Sequence, residues 1–476
     1  MNSLTNRRQL LKNAGAGFGS LALASLLAQE GMLQAGEELD PLAPKESHFG
    51  GKAKSVIWLF INGGPSQVDT WDYKPELEKM DGKELKGFDK NTGFFAGSVG
   101  PLMKSPFEFT PRGECGKMVS SLFPKLGEHV DKMAFIHSGF TESNNHSPAL
   151  FMMNSGQPRM GLPCLGSWVT YGLGSESRDL PAFVVMSDPK DRGLPKGHAA
   201  NWGAGFLPSV YQGTWLKPKG DPIENLNRPS HMNSEQQRRQ LALLQQLNQQ
   251  HQQQSSGEME LEARIKSFEL AYRMQNAAPE AFALDGEPQH IRELYGLDEK
   301  RCQHFGRQCL TARRMIERGV RFVQIYSGGM ENQRSWDGHN DIHGNHSQFA
   351  GETDTPIAGL LTDLDQRGLL DDTLVIWGGE FGRLPLSQKS KKPGRDHNPH
   401  CFTTWMAGGG IRGGVTHGES DEIGHHAAVN RVHVNDLHAT ILHQLGFDHE
   451  KLTYVYNGRR FRLTDVGGEV ISSIVG

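Results

Sequence analysis

The stretch KSVIWLFINGG, Lys54–Gly64, decides the architecture. Its apolar run leaves no alternate position for a polar side chain, so it reads as a strand covered on both faces, the kind found in parallel sheets. The paired glycines after Asn62 read as a turn at the strand's carboxyl end. Five later stretches share the pattern: KMAFIHSG (132–139), PAFVVMS (181–187), VRFVQIYSGG (320–329), TLVIWGGEFG (373–382) and CFTTWMAGGG (401–410). Amphipathic helical stretches lie between several of them. Strand, helix and strand in alternation imply an α/β fold, a mostly parallel sheet with helices on both faces. Functional residues of such sheets collect at the carboxyl ends of the strands.

At 476 residues the chain can form one large domain with insertions, or two domains. A formal net charge of -4 and a pI near 6.6 give no general attraction to nucleic acid or to anionic membranes, so no nucleic-acid partner is expected. Residues 1–35 read as an address: Arg7 and Arg8 in NRRQLLK precede AGAGFGSLALASLLA, too short and too rich in Gly and Ala for a spanning helix. The arginine pair points to the twin-arginine export route, with a periplasmic or cell-envelope destination and no stable membrane span in the mature form. The five cysteines show no CxxC spacing and make no disulfide framework. The main domain is expected over 50–476. Within it, the Gln-rich residues 234–280 interrupt the alternation and read as an inserted helical hairpin, because LALLQQL and IKSFELAYRM keep apolar positions at helical intervals.

Four strand ends carry side chains that ligate metals. The first offers Asn62, Asp69 and Asp72; the second offers His146 and Ser147 in NNHSPALFMMNSGQPR (144–159). The third, SWDGHNDIHGNH, packs Asp337, His339, Asp341, His343 and His346 into one loop. The fourth is Glu380, followed by Arg383 and by Asp396, His397 and His400 in GRDHNPH. Of 21 histidines, 12 lie after residue 330, which concentrates candidate ligands in the last third of the chain. Carboxylates and imidazoles without a thiolate suit zinc, manganese or calcium. The mixed carboxylate and imidazole set favours zinc or manganese over calcium.

Read in order, these segments resemble the alkaline phosphatase and sulfatase superfamily. SVIWLFINGG is similar to its first metal strand, HSPALFMMNSGQPR to the sulfatase nucleophile segment, and GLLDDTLVIWGGEFGR to a late strand ending in an acidic ligand. DHNPHCFTTWMAGGG and HVNDLHATILHQLGF resemble its late histidine segment and closing helix. Closer still is the twin-arginine-exported family called domain of unknown function 1501, through GGPSQVDTWDYKP, WDGH, GEFGR, GRDHNPH and YNGRRFRLTDV. The resemblance implies an alkaline-phosphatase-like fold and two metal positions. Asp337, His339 and His397 would form one; Asn62, Asp69 and Glu380 would form the second, beside the helix that starts at His146. Two departures weaken the second position: Asn62 stands where superfamily members have Asp, and Glu380-Phe381 where they have Asp-His.

In sulfatases the nucleophile frame reads Cys or Ser, then x-Pro-x-Arg, and its first residue becomes a formylglycine. Here the frame reads His146-Ser147-Pro148-Ala149-Leu150, and neither the formylglycine precursor nor the arginine is present. Two chemistries remain: His146 attacks or ligates metal, or Ser147 attacks after deprotonation. The expected activity is metal-dependent hydrolysis of a sulfate or phosphate ester, carried by a small molecule or a polysaccharide. Arg383 or Arg395 would clamp the anion. The rival expectation is a non-catalytic protein of the cell envelope that binds metal and anionic glycans.

Overall fold

The alternation of side chains along one strand divides the interior in two. Strand β1 (Ser55–Ile61) is buried at every position. Ile57, Leu59 and Ile61 enter one apolar cluster, while Val56, Trp58 and Phe60 enter another on the opposite face, as the two-residue period of a strand requires. In this computed structural model the described residues are 40–218, 222–223, 232–254, 269–275 and 279–476. The expected export signal over 1–35 lies outside them. From Pro41 onward the described residues belong to one compact unit.

Strands β2 (Met133–Phe140), β3 (Phe183–Met186), β4 (Thr214–Leu216), β5 (Phe322–Ser327), β6 (Thr373–Gly378), β7 (Phe402–Ala407), β8 (Val415–His417) and β9 (Val432–His433) complete a nine-stranded sheet. Its order is β8-β2-β7-β6-β1-β5-β3-β4, with β9 also beside β2. The pairings are parallel except at β7, which runs antiparallel to both β2 and β6. This reversal matters for the site: the loop that precedes β7 lies at the edge where the parallel strands deliver the loops that follow them.

The principal helices are α1 (His146–Ser155), α2 (Leu165–Leu173), α3 (Ser234–Gln254), α4 (Gln303–Ile316), α5 (Ile342–Gln366) and α6 (Val434–Gln444). Leu150 of α1, Trp168 of α2 and Ile441 of α6 pack on one face of the sheet; Leu310 of α4 and Leu360 of α5 pack on the other. The chain is thus a three-layer α/β structure around a mainly parallel sheet. All five cysteines are free, and among the described residues no helix is long and apolar enough to cross a membrane.

The segment read as an inserted hairpin behaves differently along its length. α3 forms its first arm, residues 269–275 are helical again, and Gln237 Nε2 donates to Gln275 Oε1 at 2.9 Å; residues 255–268 lie outside the described residues. Three leucines of LALLQQL do not pack as their spacing suggests: Leu243, Leu244 and Leu247 are 47–56 % exposed. The return arm anchors the segment instead, through Met274, which is buried in the main cluster, and Leu270, which packs against it. Met274→Ala should therefore destabilise the protein by about 2–5 kcal/mol in denaturant unfolding, while Leu243→Ala should change stability by less than about 0.5 kcal/mol.

Candidate metal centre

The site is built where the loops after β1, β5 and β6 meet the start of α1 and the loop before β7. Gly63, after β1, has φ near 107°, and a Cβ there would meet Asp337 N and Ser335 Oγ at 2.6 Å, so only glycine lets the two loops approach this closely. Its N–H donates to both carboxylate oxygens of Glu380, at 3.0 and 3.2 Å. At the start of α1 the Asn145 side chain accepts the Ser147 N–H, which caps the helix and presents His146 from its first turn.

Three imidazoles converge on Asp337. His146 Nδ1 lies 2.7 Å from Glu380 Oε1, His339 Nδ1 lies 2.7 Å from Gln388 Oε1, and His397 Nδ1 lies 2.6 Å from the Asn144 carbonyl. Each of these partners offers an acceptor oxygen, which places a proton on Nδ1 and leaves Nε2 to face the centre. The three Nε2 atoms then face the same carboxylate. His339 and His397 place theirs 3.0 and 3.2 Å from Asp337 Oδ1, and His146 places its own 3.3 Å from Oδ2. The last contact is poorly aligned, so His146 Nε2 is buried without a hydrogen bond. The Nε2 atoms of His339 and His397 are 2.9 Å apart, a separation at which two electron pairs repel unless a proton or a cation is shared.

This donor set fits a divalent ion. Two groups, His146/Asp337/His397 and His339/Asp396/His397, have ligating atoms within 4.8 Å of one another. An acceptor on the remote nitrogen of each histidine is the arrangement that orients imidazole ligands in metal proteins. Electrostatics agrees. Burial pulls the His146 pKa down, but the Asp337 and Glu380 carboxylates beside its two nitrogens outweigh it and raise the pKa to about 9; what attracts a second proton also attracts a metal cation. Burial, the charge of His146 and that of Arg383 hold His397 well below its usual value, which keeps its electron pair free.

The other residues singled out in the sequence have different partners. Asn62 donates its side-chain amide to the Gly329 carbonyl. Asp69 is fully buried against Arg395, Nε to Oδ2 at 2.6 Å and Nη2 to Oδ1 at 3.1 Å, and also accepts from Ser66 Oγ. Burial alone would raise its pKa, yet the guanidinium holds it below the usual carboxylate value. Glu380 is occupied by Gly63 and His146. The three residues expected to form a second metal position are thus engaged separately, and the Phe381 ring packs 4.9 Å from His146 and 4.5 Å from His397. Arg383 and Arg395 are wholly buried. Arg383 donates to Gly63 O, to Gly64 O at 2.8 Å, to Arg395 O at 3.1 Å and to Asp337 Oδ1 at 2.6 Å. Neither guanidinium lines the cavity over the site, so in this geometry they brace the loops rather than clamp an anion.

The dense third loop also divides. Asp337 and His339 reach the centre, whereas Asp341 caps α5 by accepting the Gly344 N–H, and His343 stacks on Phe107. His346 accepts the Ser66 N–H at 2.9 Å; burial lowers its pKa to about 3 and keeps it neutral. Asp72 pairs with Lys74 at 3.1 Å, and the His400 ring lies 5.0 Å from that of His426. Ser147 does line the cavity, a space of about 400 Å³ that opens over His146, Asp337, His339 and His397. Sequence reasoning missed Gln388 and the Asn144 carbonyl, which carry no motif, and the cavity walls Phe94, Phe95, Lys196 and Glu331.

A mainly parallel α/β sheet with imidazoles and a carboxylate gathered at its carboxyl edge defines an α/β protein with a candidate metal centre. The family model described as "Protein of unknown function (DUF1501)" matches residues 53–475, and the chain belongs to that family. No curated protein matches the sequence. Similar solved structures include a sulfatase from Pseudoalteromonas sp., at 11% identity over 90% of this chain and 71% of that one, with a TM-score of 0.34. A phosphonate monoester hydrolase from Silicibacter pomeroyi shows 11% identity over 83% and 73%, TM-score 0.35. The alkaline phosphatase from the Antarctic bacterium TAB5 shows 11% identity over 75% and 92%, TM-score 0.29.

Two measurements check the assignment of roles. After equilibration with zinc or manganese and desalting, elemental analysis should find about one equivalent of metal. His146→Ala, His339→Ala and His397→Ala should each lose most of it, and Asn62→Ala should keep it. Asp69→Asn should leave metal content in place but cost about 3–5 kcal/mol in denaturant unfolding, because it strands a buried guanidinium.

Proposed function

We propose that the protein is an exported, metal-dependent hydrolase of sulfate or phosphate esters that works without a formylglycine nucleophile. The observation that carries this reading is the convergence of three imidazole Nε2 atoms and Asp337 at the floor of an open cavity, each imidazole held at its other nitrogen. Asp337, His339, His397 and His146 would hold one divalent ion, zinc or manganese by donor chemistry. Such an ion supplies Lewis-acid polarisation of an ester oxygen.

The chain's own residues then take distinct parts. Glu380 orients His146 through Nδ1, so His146 serves as a ligand in this reading and not as the attacking group. Arg383 holds the Asp337 carboxylate from behind. Ser147 lies at the cavity, but His146 Nδ1 is taken by Glu380 and Nε2 has no hydrogen bond, so His146 is no base for its hydroxyl. Water entering the cavity is the nucleophile that remains: its oxygen bonds to phosphorus or sulfur as the ester oxygen leaves and gains a proton. Lys196 and Glu331, paired at 3.1 Å, stand at the cavity and offer hydrogen-bonding groups of both signs to an entering ester. Export rests on the Arg7-Arg8 leader, and with it the periplasm or cell envelope as destination.

The same absence of an activated side-chain nucleophile favours a second reading, a non-catalytic protein of the envelope that binds metal and anionic glycans. Turnover separates the two. Metal-loaded protein should hydrolyse 4-nitrophenyl phosphate or sulfate, with His146→Ala lowering kcat/KM by about 10²-fold or more and Ser147→Ala by less than about tenfold. Quenched wild-type protein should show no covalent adduct on the His146 peptide by mass spectrometry. If no ester of either class is turned over, the binding reading replaces the hydrolase.

A further inference from the structure

Two adjacent phenylalanines stand at the mouth of the cavity with much of their surface in water. Phe94 is 48 % exposed and Phe95 is 42 % exposed, and their rings meet edge to face at 5.0 Å and 82°. The Phe95 ring lies 4.9 Å from that of His339, nearly perpendicular to it, and the Phe94 ring lies 5.7 Å from that of His397. Both line the cavity.

Their segment is fastened to residues that also build the centre. Phe95 N–H donates to Asp396 Oδ2 at 2.6 Å, and Asp396 Oδ1 accepts the backbone N–H of His397. Asn144, whose carbonyl holds the His397 ring, donates its side-chain amide to Thr92 O at 3.2 Å and Gly93 O at 2.9 Å. A Cβ on Gly93 would meet Asp396 Oδ2 at 2.5 Å, so the segment also packs close to that carboxylate. The segment that carries the rings is thus held beside the floor of the cavity by the same two residues, Asp396 and Asn144, that position His397. Large apolar groups fastened in this way, with an aqueous face left open, are suited to a ligand that covers them.

The rest of the wall has the opposite character. Lys196, Glu331, Asn332 and Ser147 border the same space. Aromatic side chains, polar side chains and the imidazole and carboxylate floor around one space complement a ring that has an apolar face and polar substituents at its edge.

We infer that Phe94 and Phe95 form a stacking platform for the ring of the alcohol portion of an ester, and so select cyclic over acyclic esters. This rests on the hydrolase reading for what happens to the ester, while the platform itself is a statement about binding. A pyranose and an aryl ring share the required apolar face. A pyranose also carries the hydroxyls that Glu331 and Asn332 can hydrogen-bond.

The test is calorimetric titration of metal-loaded protein with ethyl sulfate, 4-nitrophenyl sulfate and glucose 6-sulfate, and with the three corresponding phosphates. The Phe94→Ala/Phe95→Ala double variant should bind the cyclic esters about tenfold or more weakly, a stacking-sized loss. It should bind the ethyl ester as wild type does, with metal content and melting temperature unchanged. Phe95→Trp should retain cyclic-ester binding. A loss confined to the 4-nitrophenyl esters identifies the ring as aryl, and a larger loss with the glucose esters identifies it as pyranose; either supports the platform. Should the esters be hydrolysed, the defect should appear in KM and spare kcat. Should none be hydrolysed while the cyclic esters still depend on the two rings, the hydrolase reading fails and the platform stands. An equal effect on cyclic and acyclic esters, or no effect on either, overturns it.

Discussion

Arg383 is buried completely, and a guanidinium cannot shed its charge to suit such a place. Its donors need acceptors, and four hydrogen bonds reach acceptors from three separate loops: Gly63 and Gly64 after β1, Asp337 after β5 and the Arg395 carbonyl before β7. Arg395 repeats the constraint one residue-pair away, with Asp69 as its counter-charge. Two charges that cannot be left unpaired therefore fasten the loops to one another. Asp337, the carboxylate on which the three histidines converge, takes its position from this bracing, and any ion held there inherits that position.

The second requirement is geometric. Parallel strands deliver their following loops to one edge of the sheet, which accounts for Asp337 after β5 and Glu380 after β6. His397 belongs to a loop that precedes its strand, and in a wholly parallel sheet it would lie at the far edge. β7 runs antiparallel to both neighbours, and that reversal returns His397 to the others. The antiparallel strand is part of how the centre is assembled.

Third, the charge around the candidate centre favours a cation. Asp337 and Glu380 flank His146, and the pair outweighs burial in raising its pKa to about 9. A second proton and a metal ion compete for the same electron pair. Phe381 packs against His146 and His397, so the imidazole beside Glu380 comes from the start of α1.

Much of this was legible in the sequence. Apolar runs such as SVIWLFI specify strands covered on both faces, because no face is left polar, and the mainly parallel sheet follows. Asp337, His339 and His397 stood out by residue type and by position after or before strands, and the fold brings the three side chains together. Other assignments needed the tertiary structure, because a carboxylate reads the same whether it meets a metal or an arginine. Asp69 looked like a ligand until Arg395, 326 positions away, proved to be its partner. Arg383 looked like an anion clamp until its donors were found to be occupied. The role of His146 depends on which of its nitrogens is taken, and Glu380, 234 residues away, decides that. Local sequence encodes periodicity and the kinds of groups available. Which charges end up paired in the interior is a property of the packed chain, because burial penalises every alternative pairing at once.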